Sequence, residues 1–212
     1  MKADGILFLG NSITIVGPPN YWGASASAAA KDYAHLLTQR INDVAKGSLT
    51  ITPPDPAFGR WYDGNPGPDW NGNILNIADI FERNYKTWDS VRIKKQLALK
   101  PDIVVLQFGE NIPMESFEAT KFNNALKTLL TDLKKSSDPK IFMPSFILGS
   151  NETVDTIKRD LCAEDPTHRV FVDLSKVGPD ATRGAYAHPN DEGMAMIADT
   201  LFKAMVTHSA PK

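Results

Sequence analysis

The chain contains a single cysteine, Cys162, among 212 residues. One thiol excludes an internal disulfide framework and any zinc site made of several cysteines. In its Leu-Cys-Ala setting it reads as a small core residue rather than a nucleophile. Basic runs are equally scarce. No stretch of Lys or Arg exceeds a pair, and 23 basic against 25 acidic residues leave a net charge of -2. That balance argues against nucleic acid or an anionic membrane as the partner. No apolar run approaches the ~18 residues that cross a bilayer. No leader peptide is read ahead of the first apolar run. The expectation is a cytoplasmic chain, or a secreted or periplasmic one if an upstream signal was trimmed. A Gly-x-Gly-x-x-Gly turn and a Lys-bearing phosphate loop are also lacking, which disfavours a nucleotide or flavin domain.

What the chain does have is ordinary globular composition, 42% hydrophobic and 23% charged, and enough length for one domain with a sizeable core. The expected core runs from about residue 5 to 206, with the first three residues and the tail from Thr207 frayed. Apolar runs at Ile6–Leu9, Ile74–Ile80, Ile103–Phe108, Ile141–Ile147 and Val170–Leu174 read as strands. Between the third and fourth, Phe122, Ala125, Leu126, Leu129, Leu130 and Leu133 recur at helical spacing. Near the end Met194, Ile197, Ala198, Leu201, Phe202 and Met205 do the same. Ala28–Val44, Val91–Leu99 and Val154–Leu161 are further helix candidates. Strands alternating with helices predict a three-layer α/β/α sandwich around a five-stranded parallel sheet.

Two stretches exceed what such a sandwich needs. Val16–Ala29 carries Tyr21 and Trp22, and Pro53–Asn73 carries Phe58, Trp61, Tyr62 and Trp70. Loops this long often build binding sites. Trp22, Trp61 and Trp70 are candidate platforms for sugar rings, or else they pack the loops onto the body.

Three polar turns stand at expected strand ends, where open α/β sheets place their ligand crevice. Gly10-Asn11-Ser12 follows the first strand and offers a nucleophile. Gly109-Glu110-Asn111 follows the third, and the Asn111 amide is a donor for an oxyanion. Ala187-His188-Pro189-Asn190-Asp191 precedes the last helix. Asn190 or Asp191 serves as its N-cap, which leaves His188 unexplained by structure alone. Nucleophile, oxyanion donor and general base are the minimum for acyl transfer.

At these residues the chain resembles the GDSL-like SGNH hydrolases, over a span from Ile6 to about Leu201. Gly10-Asn11-Ser12-Ile13-Thr14 is similar to that family's nucleophile block, with Asn11 where Asp is commoner. Gly109-Glu110-Asn111 resembles its Gly-x-Asn block and His188-Pro189 its His block. Trp22-Gly23 and Lys31-Asp32-Tyr33 look like a bacterial subgroup of uncharacterised or sugar-ester-cleaving members. The resemblance implies a flavodoxin-like sheet, a serine esterase acting on short acyl esters of a carbohydrate, and no cofactor or metal.

Two departures matter. The family's second block supplies a Gly whose N–H completes the oxyanion hole. Here Asn76–Glu82 has no Gly, so the main-chain N–H of Phe81 or Glu82 is the expected substitute. The family's acid, three residues before the His, is replaced by Ala185. That leaves open a Ser-His dyad oriented by a backbone carbonyl, a replacement carboxylate such as Glu110, an engineered knockout, or a degenerate enzyme. Retention of Ser12, Asn111 and His188 together ranks the first two ahead. The rival reading is a non-catalytic carbohydrate- or ligand-binding module on the same scaffold.

Overall fold

The computed structural model describes residues 5–17, 20–45, 49–50, 73–149, 151–177 and 182–209. Its centre is a sheet of five strands: β1 (Ile6–Gly10), β2 (Ile74–Asn76), β3 (Ile103–Gln107), β4 (Lys140–Pro144) and β5 (Arg169–Val172). All neighbours are parallel, in the order β2-β1-β3-β4-β5. The helices are α1 (Tyr33–Ala45), α2 (Lys94–Ala98), α3 (Ala119–Ser137), α4 (Glu152–Ala163) and α5 (Asp191–Ser209).

The sheet is buried on both faces, so its inner strands run almost continuously apolar rather than alternating, with polar residues only at their ends, Lys140 at the start of β4 and Gln107 at the end of β3. Successive side chains still point to opposite faces. Ile6 and Phe8 of β1 join one core with Tyr33, Leu37 and Ile41 of α1 and Ile197, Leu201 and Met205 of α5. Leu7 and Leu9 join the other with Phe122, Leu126 and Leu130 of α3 and Val154 and Leu161 of α4. Cys162 lies in that second core, where burial pushes its thiol up to about 12.

Strands β2 to β5 are shorter than the apolar runs that announce them, whereas α4 (Glu152–Ala163) extends beyond Val154–Leu161 at both ends. The run Ile74–Ile80 is strand only to Asn76, and a single wide π turn, Ala78–Glu82, follows. The Asn76 side chain ends the strand. Its Oδ1 accepts from the Ala78 N–H at 2.9 Å while its Nδ2 donates to the Ile15 carbonyl at 3.1 Å. The stretch from Ala28 divides into a 3-10 turn, Ala29–Lys31, and α1, because Asp32 caps α1 by accepting from the His35 N–H at 2.8 Å. Val91–Leu99 likewise begins as a 3-10 turn, Ser90–Ile93, before α2. At the other end α5 remains helical through Thr207 to Ser209, where fraying was expected.

The strand order reverses direction at β1, so the crevice between the carboxyl ends of β1 and β3 is the topological switch point of the sheet. Gly10-Asn11-Ser12 and Gly109-Glu110-Asn111 both leave the sheet there.

Candidate active site

The turn after β1 is tight because Gly10 has no side chain: a Cβ there would stand 1.8 Å from the Thr14 Oγ1. The Asn11 carbonyl then accepts the N–H groups of Thr14 (2.9 Å) and Ile15 (3.0 Å), and the Asn11 Oδ1 accepts that of Ile13 at 3.0 Å. This folding buries Asn11 completely and leaves Ser12 half-buried at the rim. The Ser12 carbonyl accepts the Ala24 N–H at 2.8 Å, tying the 20–26 loop to the same turn.

His188 arrives from the other end of the chain and stands with Nε2 2.8 Å from the Ser12 Oγ. For Nε2 to accept the serine proton, the imidazole hydrogen must sit on Nδ1. Among the described residues Nδ1 has no hydrogen-bond partner. The histidine is held instead through its backbone. Gly184 N–H donates to the His188 carbonyl at 2.7 Å and His188 N–H to that of Ala185 at 3.1 Å. The intervening 3-10 turn, Ala185–Ala187, contains two left-handed residues, Tyr186 (φ 55°) and Ala187 (φ 59°). Non-glycine residues hold that conformation only when their surroundings impose it. Here Ser25 donates to the Ala185 carbonyl at 3.0 Å and Arg183 to those of Ala187 (3.1 Å) and Ile147. Asn190, not Asp191, caps α5 by accepting the Gly193 N–H at 3.0 Å, and Asp191 receives two 2.7 Å bonds from Ser27.

Under Ser12 lies a polar floor. Asn11 Nδ2 donates to Glu110 at 2.5 Å and to Glu82 Oε1 at 3.4 Å. Glu110 Oε1 also accepts from Gln107 Nε2 (3.0 Å) and the Ile147 N–H (3.1 Å). Glu82, with no exposed surface, accepts the Gly109 N–H on Oε1 and the Asn111 amide on Oε2 at 2.8 Å. Burial, and then the charge of Glu110, push the Glu82 carboxyl up from 4.5 to about 7. Burial also raises Glu110, against the opposing charge of Lys158. Lys158 is itself fully buried and donates to the carbonyls of Phe108 (3.0 Å) and Pro144 (2.8 Å) while pairing with Asp155 at 3.1 Å. The Thr14 hydroxyl links Tyr33 OH (2.7 Å) to Gln107 Oε1 (3.3 Å).

The structure therefore brings Ser12 and His188 together, links Asn111 to the neighbouring Asn11 through Glu82, and moves other candidates away from the roles expected of them. Glu110 serves Asn11, Gln107 and Ile147 rather than His188. The N–H groups of Phe81 and Glu82 both donate to the Ile77 carbonyl, at 2.8 and 3.2 Å, inside the π turn and are not oxyanion donors. The Ser12 N–H, by contrast, donates to no described residue. Trp22 packs on the core with Nε1 bonded to the Ala26 carbonyl at 2.9 Å. Trp61 and Trp70 lie outside the described residues. Sequence reasoning missed the side chains of Glu82, Gln107 and Thr14. Their signal is the placing of a carboxylate, an amide and a hydroxyl at the ends of apolar runs. At the carboxyl ends of β4 and β5 a cavity of about 730 Å³ is lined by Ile147, Asn151, Arg159, Phe171, Arg183 and Ala187, among others, and Ser12, Asn111 and His188 do not line it. Among the described residues no cluster of His, Cys, Asp and Glu is fit to hold a metal ion, and no helix is long and apolar enough to cross a membrane.

No family model and no curated protein matches the sequence. Solved structures do match the fold. A carbohydrate esterase of family 3 from Talaromyces cellulolyticus superposes with a TM-score of 0.61 at 16% identity, over 96% of this chain and 97% of its own. An acetyl esterase mutant with acetate ion gives 0.60 at 14% identity, over 96% and 97%. The chain has the SGNH hydrolase fold. The psychrotrophic esterase EstA from Pseudoalteromonas sp., inhibited by monoethylphosphonate, shares this SGNH architecture with a TM-score of 0.58 at 13% identity, over 95% of this chain and 96% of its own. At such identities the likeness is one of fold.

Proposed function

We propose that the protein is a serine ester hydrolase that removes acetyl or another short acyl group from a carbohydrate. The observation that carries this reading is the 2.8 Å contact between the Ser12 Oγ and the His188 Nε2 at the switch point of the sheet. His188 takes the serine proton as Ser12 attacks the ester carbonyl, then returns a proton to the leaving alkoxide. The Ser12 N–H and the Asn111 amide receive the developing oxyanion. Water, deprotonated by the same imidazole, then releases the acyl group. The SGNH fold shared with acetyl and carbohydrate esterases supports the class. The likeness in fold to a carbohydrate esterase supports a carbohydrate as the alcohol.

Ala185, and an Nδ1 with no partner among the described residues, favour a second reading, a ligand-binding member that does not turn over. Hydrolysis of p-nitrophenyl acetate separates the two. The parent protein is expected to turn over, and folded Ser12→Ala to lose about 10⁴–10⁶ in kcat. Equal rates in both proteins would end the esterase reading.

A further inference from the structure

Glu82 has no exposed surface, and an ionised carboxyl so placed is costly unless every lone pair is used. Its neighbours are all donors: the Gly109 N–H and Asn11 Nδ2 on Oε1, and Asn111 Nδ2 on Oε2. Once ionised, above about pH 7, this carboxylate accepts and never donates. It therefore obliges Asn111 to turn its NH₂ group, not its carbonyl, toward the floor of the site. On the far side the Arg83 guanidinium stands 3.5 Å from the Asn111 Oδ1, which suits the same orientation. An amide nitrogen has two hydrogens, and only one is used by Glu82.

We propose that Glu82 is a positioning residue: its buried carboxylate locks the Asn111 amide so that the second N–H faces the ester oxygen. The proposal rests on the esterase reading and adds to it the device that orients its oxyanion donor. Glu82→Gln preserves size and removes the lock. Two donors, Gly109 N–H and Asn11 Nδ2, claim the position of Oε1, so the glutamine oxygen settles there and its NH₂ meets Asn111. Asn111 then flips and presents its carbonyl to the oxyanion.

The test is a double-mutant cycle of Glu82→Gln and Asn111→Ala on p-nitrophenyl acetate at pH 8, where Glu82 is ionised, with thermal unfolding to check folding. Each single variant is expected to lower kcat by about 10²–10³ with little change in KM, the usual loss of one oxyanion donor. The double variant is expected to match Asn111→Ala alone, because Glu82 acts only through Asn111. A merely structural Glu82 would give losses that multiply, and that outcome overturns the proposal, as does a folded Glu82→Gln with the parent kcat. Should Glu82→Gln not fold, Glu82→Asp, which still only accepts, carries the same cycle. Its smaller loss must vanish in the Asn111→Ala background. A side-chain ¹⁵N–¹H spectrum reads the orientation without turnover. One Asn111 amide proton is expected downfield in the parent and moved upfield by Glu82→Gln, and an unmoved signal refutes the lock. Absent turnover in the parent would instead count against the esterase reading, and the spectrum still decides the orientation.

Discussion

Ser12 and His188 meet at 2.8 Å but come from regions built on different plans. The Ser12 side stands on buried polar side chains that satisfy one another: Asn11 between Glu82 and Glu110, Glu82 beneath Asn111, and Gln107 between Glu110 and Thr14. The His188 side is a surface turn held by backbone carbonyls, with two left-handed residues and a Tyr186 that is 94% exposed. Ser12 and Asn111 are thus set by chemistry inside the fold, where each group dictates its neighbour. His188 is set by the path of the chain, and among the described residues its Nδ1 has no partner.

The difference explains why Asn11, standing where Asp is commoner, is linked to other residues, and Ala185, standing where an acid is usual, is not. With two carboxylates facing position 11, the residue there must donate, and Asn does so where Asp would not. Asn11→Asp would restore the commoner family residue and is expected to be the most damaging of the changes considered in this Discussion. It places a third acid between Glu82 and Glu110 and removes their shared donor. An uncompensated buried charge costs about 3–5 kcal/mol, a fall in Tm on the order of 10 °C. An unchanged Tm at pH 8 would show that the floor is not the closed network described.

A second, intermediate effect sharpens the same contrast through pH. The Glu82 carboxyl is pushed up from 4.5 to about 7, so the folded protein keeps a proton that the unfolded chain gives up. Its contribution to stability is full below about 4.5 and is lost as pH rises toward about 7. Glu118 and Asp165, held low by their surface lysines and by His168, shift with the opposite sign at more acid pH. The difference in Tm between the parent and Glu82→Gln isolates the buried group. It is expected to move in favour of Glu82→Gln between pH 5 and pH 8. A constant difference would place Glu82 outside the titrating network.

The smallest effect is expected on the exposed side. Ala185→Asp restores the acid that the resemblance places three residues before His188, yet the ring already stands 2.8 Å from the Ser12 Oγ without it. Turnover should be unchanged or somewhat reduced. Loss of such a carboxylate costs about 10⁴ in a serine protease. A gain of roughly tenfold or more in Ala185→Asp, on the same ester and at the same pH, would show that His188 lacks orientation and that the contrast between the two sides is one of function as well as construction.

The parallel sheet and the meeting of Ser12 and His188 were legible because apolar runs ending in Gly or in polar turns mark strand ends, and a parallel sheet gathers its carboxyl ends on one side. The role of Glu82 was not. Ile77-Ala78-Asp79-Ile80-Phe81-Glu82 continues the apolar run of β2, and nothing local shows that Asn76 stops the strand and winds the next residues into a π turn. Only that turn drives the Glu82 side chain inward. Likewise the exhaustion of the Phe81 and Glu82 N–H groups is a consequence of i to i−4 and i−5 bonding that the residue pattern does not show. The clue that was present is relational: a donor at position 11 where the family favours an acid, in a chain with two acids elsewhere that need one.

Lys158 carries a consequence for following this protein in solution. Its ammonium has three hydrogens and three described acceptors, at the ends of β3 and β4 and on α4. An acylating reagent reaches Lys121 or Lys135 on the surface of α3 at any moment. It reaches Lys158 only when α4 lifts from the strand ends. The labelling rate of that one amine is therefore a clock for how often the floor beneath Ser12 comes apart.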